Sequence, residues 1–293
     1  MVSLHPNNVT VVAPHPFEWY EENGWEHELE GVRYQIIKDS HDLRAVLRDL
    51  PRGDEARLVT TFVRQMDEVF RRCTFNPDVS TWDVANVTTM RNMFSDAVAF
   101  DGDLSAWNVA NVTDMGYMFY EAVVFNGDLS AWNVANVTDM WSMFHGAEVF
   151  NGDLSAWDVA NVTSMRNMFS DAVAFDGDLS AWNVANVTSM ECMFKGAEVF
   201  NGDLSAWNVA NVTNMWGMFH GAEVFNGDLS AWNVANVTDM ECMFKGAVAF
   251  NGDLSAWNVA NVREMDSIFD GSGIRAGVSW CDESYEVASC NHW

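Results

Sequence analysis

Trp82, Trp107, Trp132, Trp157, Trp182, Trp207, Trp232 and Trp257 follow one another at a constant interval of 25 residues. The surrounding unit recurs with them, in a form close to F-N-G-D-L-S-A-W-N-V-A-N-V-T-x-M-x-x-M-F-x-x-A-x-x. A fixed period of this size means stacked supersecondary units, none of which can bury its own apolar face alone. Function in such a chain is spread over an extended surface, not gathered in one enclosed pocket.

Two spacings alternate inside a unit. Leu104, Trp107, Val109 and Val112 have the L-x-x-L-x-L spacing of a leucine-rich-repeat strand. Met115, Met118, Phe119 and Ala122 fall at i, i+3, i+4 and i+7, one face of a helix. Thr113 then reads as the helix cap, and Asp114 or Asp139 as acids suited to its first turn. The expected fold is an α/β repeat solenoid with one short parallel strand and one short helix per 25-residue coil. Apart from Met1, every methionine sits in the two helix columns or in their worn counterpart, Met66. At that spacing they read as core filler, not as a copper site or a promiscuous groove.

Three segments follow from the pattern. Residues 1–56 carry no repeat and form a small α+β N-terminal cap region, with a strand near 31–37 and an amphipathic helix from His41 to Leu50 capped by Ser40. Residues 57–270 are the solenoid, with 57–81 as a worn first coil. Residues 271–293 are a C-terminal cap and tail, opened by Gly271-Ser272-Gly273.

The net charge is −27 and unevenly placed. Residues 1–75 hold 9 Lys+Arg and 13 Asp+Glu, whereas residues 76–293 hold 6 and 29. Nucleic acid and anionic membrane surfaces require basic protein surface, so both are strongly disfavoured as partners of the repeats. No apolar run approaches a membrane span, so no membrane insertion is expected, and no leader segment is evident at Met1-Val2-Ser3-Leu4. Cys192 and Cys242 share a column two coils apart, about 10 Å at the spacing of stacked strands, beyond disulfide reach. Cys281 and Cys290 are close enough in sequence to pair in an oxidising compartment.

The run Trp107-Asn108-Val109-Ala110-Asn111-Val112-Thr113-Asp114-Met115-Gly116-Tyr117-Met118-Phe119 resembles the BspA-like leucine-rich-repeat surface proteins, whose units read W-x-V-S-N-V-T-x-M-x-x-M-F. The likeness spans about residues 58–270. It implies a right-handed, leucine-rich-repeat-like stack, a cell-surface or extracellular location and a role in adhesion, with no catalytic residues to carry over. Alanine at Ala110 stands where that pattern has serine.

Among polar columns, Asp103, Asp128, Asp153, Asp178, Asp203, Asp228 and Asp253 stand out. Like charges about 4.8 Å apart repel by roughly 0.9 kcal/mol even in water. The ladder therefore needs turn N–H donors or bound cations, with weak calcium binding as the second reading. No other cofactor is implied. Asn108 and Asn133 belong to a small, monotonous outward face that can meet a partner. The variable positions are richer: Tyr117, Trp141, His145, Trp216 and His220 are candidates for contact with a protein or a glycan ligand. Asn-x-Thr recurs from Asn86 to Asn236 and reads as a structural corner before it reads as a glycosylation site. No acid/base pair, nucleophile triad or phosphate loop appears, so an enzyme is not expected. The alternatives to a binding module are a scaffold or spacer subunit and a cation-binding acidic solenoid.

Overall fold

A computed structural model describes residues 3–5, 8–10, 13–29, 32–274 and 280. The pair Cys281 and Cys290 lies outside the described residues, as does most of the tail. The N-terminal region opens with β1 (Ser3–His5) antiparallel to β2 (Asn8–Thr10). Helix α1 (Phe17–Asn23) leads to β3 (Glu26–Leu29) and β4 (Val32–Ile36), which pair antiparallel. After α2 (Ser40–Asp49), β5 (Leu58–Val59) joins β4 in parallel, with Gln35 opposite Leu58 and Ile36 opposite Val59.

Helix α2 starts one residue before the expected range, and its cap is Asp39, not Ser40. The Asp39 carboxylate accepts the N–H groups of His41 and Asp42 at 2.8 and 2.9 Å. Ser40 is spent elsewhere: its hydroxyl donates to the carbonyl of Gln65. One turn on, Arg44 Nη2 donates to the carbonyl of Asp67. Leu43 is buried, and Val46, Leu47 and Leu50 pack against the core of the repeats.

From Gln65 to Glu264 the coils are linked by parallel bridges of a single residue each: Gln65 to Thr89, Thr89 to Asp114, Asp114 to Asp139 and onward to Glu264. Beyond each bridge the hydrogen bonds continue. Met115, Tyr117, Phe119 and Glu121 donate their N–H groups to the carbonyls of Asp139, Trp141, Met143 and His145 in the next coil, at 2.7–3.1 Å. The intervening N–H groups close tight turns: Met118 to Met115, Tyr120 to Tyr117 and Ala122 to Phe119.

This arrangement corrects two expectations. After β5 the repeats contain no helix and no strand longer than the bridge residue; among the described residues the few helices and the two small sheets belong to the N-terminal region and the start of the first coil. A helix needs N–H to i−4 bonds, yet here every second N–H reaches the neighbouring coil. The path is also broken twice per coil by a residue in the left-handed region. These are Tyr117 (φ 59) and Glu121 (φ 53), then Ser142 and Gly146, then Asn167 and Asp171. A left-handed third residue is the mark of a type II turn. Thr113 is accordingly no helix cap: its Oγ1 and its N–H both donate to the carbonyl of Thr88 in the preceding coil. Asp114 and Asp139 cap turns, accepting the N–H of Gly116 and Trp141.

The inward columns are nevertheless those expected. Leu104, Trp107, Val109, Val112, Met115, Met118, Phe119 and Ala122 are all buried, and one continuous cluster runs from Ile37 to Ile274. Aromatic rings file along the stack. Phe119 lies 5.6 Å from Phe144 and 4.1 Å from Phe125, while Trp132 and Trp157 are 6.4 Å apart and parallel. Each indole also ties two coils, as when Trp157 Nε1 donates to Leu129 O at 3.0 Å. Asn111 Nδ2 does the same with Ala85 O at 2.8 Å, which accounts for the Asn-x-Thr column as a structural corner. The Asn-Gly turn has a steric origin: a Cβ on Gly127 would stand 2.8 Å from the ring of Phe125.

Candidate functional site: a groove on the variable face

Because Met115, Met118, Phe119 and Ala122 turn inward, the residues between them turn out. Their identities differ from coil to coil, and stacking brings neighbours in two adjacent columns into contact. Arg91 lies over the ring of Tyr117 at 5.7 Å, and Tyr117 is 5.1 Å from Trp141. Arg166 lies over Trp141, also at 5.1 Å. Cation and aromatic faces attract through the ring quadrupole, so four successive coils contribute one ladder bounded by arginine at both ends. Beside it Tyr120 and His145 stack at 4.7 Å, and Tyr117 joins the two rows through Tyr120 at 5.6 Å.

Together with Arg71 and Arg72 these side chains line a groove of about 730 Å³. Its lining holds four arginines and one acid, Asp96, on a chain of net charge −27. The arginines are held by partners at the margins: Arg166 to Glu191 at 2.7 Å, Arg71 to Glu68 at 3.1 Å, Arg91 to Asp114 at 3.9 Å and Arg72 to Asp96 at 3.8 Å. His145 sits between two acids, with Nε2 3.7 Å from Glu121 and Nδ1 4.0 Å from Asp171. Burial lowers the His145 pKa, outweighing the opposite pull of Asp171. Burial likewise raises Glu121, reinforced by Asp96, Asp171 and Glu148, and raises Tyr120. Trp141 Nε1, His145 Nδ1 and Arg166 Nε are shielded from solvent and have no hydrogen-bond partner among the described residues.

Of the candidates read from sequence, Tyr117, Trp141 and His145 converge here. Trp216 and His220 do not line this groove; Trp216 stands two coils beyond Arg166, and burial lowers the His220 pKa, aided by Lys195 and Lys245. Asn108 and Asn133 are also absent from it. Both are exposed, and each Oδ1 accepts the N–H of the alanine two residues on, at 3.2 Å. Arg91 and Arg166 are the members that sequence reading missed. Their signal was the Arg-Asn pair recurring at 91–92 and 166–167, which brackets Tyr117 and Trp141 once the units are written one above another.

The Asp103 column is occupied in turn capping. Asp103, Asp128 and Asp153 each accept the N–H of the serine two residues on, at 2.9 Å, and the column repeats this through Asp253. Hydrogen bonds from the serine hydroxyl and amide hold Asp128, Asp153, Asp178, Asp203, Asp228 and Asp253 below the usual carboxylate range. Among the described residues, no three His, Cys, Asp or Glu side chains converge as a metal site. Cys73, Cys192 and Cys242 are free thiols; burial pushes Cys192 up to about 12. No helix among the described residues is long and apolar enough to cross a membrane.

Stacked coils with a nearly constant interior and variable outer columns define a tandem-repeat protein. Residues 53–153, 106–201, 127–226 and 178–276 match the family described as "Mycoplasma protein of unknown function, DUF285", and the chain belongs to that family. No curated protein and no solved structure matches it.

Proposed function

We propose that the chain is a non-enzymatic binding module that engages a protein or glycan through the groove bounded by Arg91 and Arg166. The observation that carries this reading is the contrast within one unit. Interior columns are nearly constant, while the outward positions of four adjacent coils assemble aromatic and cationic groups that the stack does not need for its own core. The groove's rings are half-buried and its arginines partly exposed, and aromatic and arginine side chains are the types enriched in recognition surfaces. The resemblance to BspA-like surface proteins supports an adhesion-like role at the cell surface and a right-handed, leucine-rich-repeat-like stack. The repeats span a long surface, as such a role requires.

The test is binding of the full chain and its Trp141→Ala variant to protein and glycan arrays. The reading expects ligands bound by the wild type and lost by the variant, while the variant keeps its melting temperature within a few degrees. Identical binding profiles would remove the groove from the account.

A scaffold role has its own supporting observation, the docking of the N-terminal region onto the first coil through α2 and the β4–β5 pair. If residues 1–56 anchor a larger assembly, deleting them abolishes assembly. Assembly that survives the deletion counts against that role.

A further inference from the structure

Resting on the reading of the groove as a binding site, we infer that its ligand is an acidic saccharide, a sugar chain whose units carry carboxylate groups. Four features of the groove point there. The first is the arginine forks: four line the groove, each holding one carboxylate at its margin, Glu68, Asp96, Asp114 or Glu191. A guanidinium carries five N–H donors, so each fork keeps donors for a second carboxylate. Arginine forks match carboxylate geometry. Arg166 keeps Nε without a partner while its Nη2 is on Glu191.

The second feature is the set of unsatisfied polar atoms. Trp141 Nε1 and Arg166 Nε are N–H donors without acceptors, and His145 Nδ1 lies 4.0 Å from the nearest carboxylate oxygen, too far for a direct bond. A shielded donor without an acceptor carries a free-energy penalty that an incoming oxygen relieves. A saccharide offers hydroxyl, ring and carboxylate oxygens at short intervals. The Arg166 side chain is 42% exposed and is held on the indole only by stacking and by Glu191. The inference requires Arg166 to leave the ring, which gives the ligand access to the Trp141 face.

The third feature excludes the common peptide modes. No Leu, Val, Ile or Met lines the groove, so an amphipathic helix finds no apolar seat. The backbone N–H groups of Tyr117, Phe119 and Glu121 are already given to the next coil, so strand addition finds no free edge there. The fourth is size: about 730 Å³ lies in the range of sites for small ligands, about 300–1,000 Å³. That holds a few sugar rings, whose C–H faces suit the rings of Tyr117 and Trp141.

The experiment is calorimetric titration of the full chain with three probes: a glucuronate-containing hexasaccharide, a neutral glucose hexasaccharide and a polyglutamate peptide. Variants are Arg166→Gln, Trp141→Phe, which keeps a ring and removes the N–H, and Trp216→Phe outside the groove. The expected result is binding of the acidic hexasaccharide at least about tenfold tighter than the neutral one. Arg166→Gln should weaken it about tenfold and Trp141→Phe about fivefold, with Trp216→Phe unchanged and affinity falling as salt rises. Equal affinity for acidic and neutral sugars, or indifference to Arg166→Gln, overturns the inference. Binding of polyglutamate alone, lost in Arg166→Gln, overturns the saccharide and leaves the groove a binding site. Array ligands that all survive Trp141→Ala bring down the site itself.

Discussion

Replacing Gly221 by alanine separates a turn from a helix by the sign of its effect. Gly221 has φ +71, and a Cβ there would meet only the Cα and N of Gly196, both at 3.8 Å. That is ordinary contact, so no clash contributes. If residues 213–222 were helical, alanine would stabilise by about 1 kcal/mol, the intrinsic difference between the two residues. In the left-handed region alanine instead costs roughly 1–2 kcal/mol, offset by about 0.4–1 kcal/mol from its lower entropy in the unfolded chain. The net expectation is a loss of about 1 kcal/mol, or roughly 2–4 °C in Tm for a domain of this size. Gly146→Ala should lose more, because its Cβ would stand 2.8 Å from the Glu121 carboxyl carbon and displace that side chain. The converse change, Cys242→Gly at φ 55, should be neutral or gain stability. Urea and thermal unfolding of the three variants read all of this. A stabilised Gly221→Ala would refute the turn assignment and restore the helix.

Further expectations concern the core, the carboxylates and pH. Trp157→Phe removes the bond from Nε1 to Leu129 O, but that carbonyl still accepts Trp132 N–H; the loss should be about 1–2 kcal/mol by urea unfolding, not the 3–5 kcal/mol of an alanine truncation. Since the Asp103 column already caps turns, melting temperatures in calcium and in chelator should agree within about 1 °C, by ordinary ligand linkage; a rise with calcium would revive the cation-binding reading. The serine-bonded aspartates have folded pKa values below the unfolded 3.8, so the unfolded chain binds more protons in that window and stability falls as pH drops below about 4. His145 and His220 are also depressed, from 6.5, so a further loss should begin as pH falls through about 6.5. His145→Gln should abolish most of this upper step in a Tm–pH series if His145 dominates it.

The sequence reading found the correct interior for a partly wrong reason. Two turns in series, each with a left-handed third residue, send positions 1, 4, 5 and 8 to one side, the same set that a helix sends, so Met115, Met118, Phe119 and Ala122 fit either path. What separates them is the position that must accept φ above zero. The column of Glu121 holds Gly146, Gly196, Gly221, Gly246 and Gly271 together with Asp96 and Asp171, a composition that fits turns and disfavours helices. Tyr117, Trp141 and His145 were legible as candidates because they are conspicuous in an otherwise monotonous chain. Arg91 and Arg166 were not, since their partners lie 25 or 26 residues away and come together only through stacking.

The hydrogen-bond ladder is the same from each coil to the next, and this has a consequence for copy number. At the N-terminal end, the carbonyls of Gln65 and Asp67 take the places that Thr89 and Arg91 occupy one coil on; there, N–H groups of the preceding coil serve as donors. With no coil before them, Ser40 and Arg44 of α2 supply those donors from side chains. The backbone ladder of an interior unit carries no mark of its rank in the series, so a gene that gains or loses whole multiples of 75 nucleotides yields a longer or shorter array with the same terminus. Reach along the stack thus becomes a quantity that heredity can adjust without inventing a new fold.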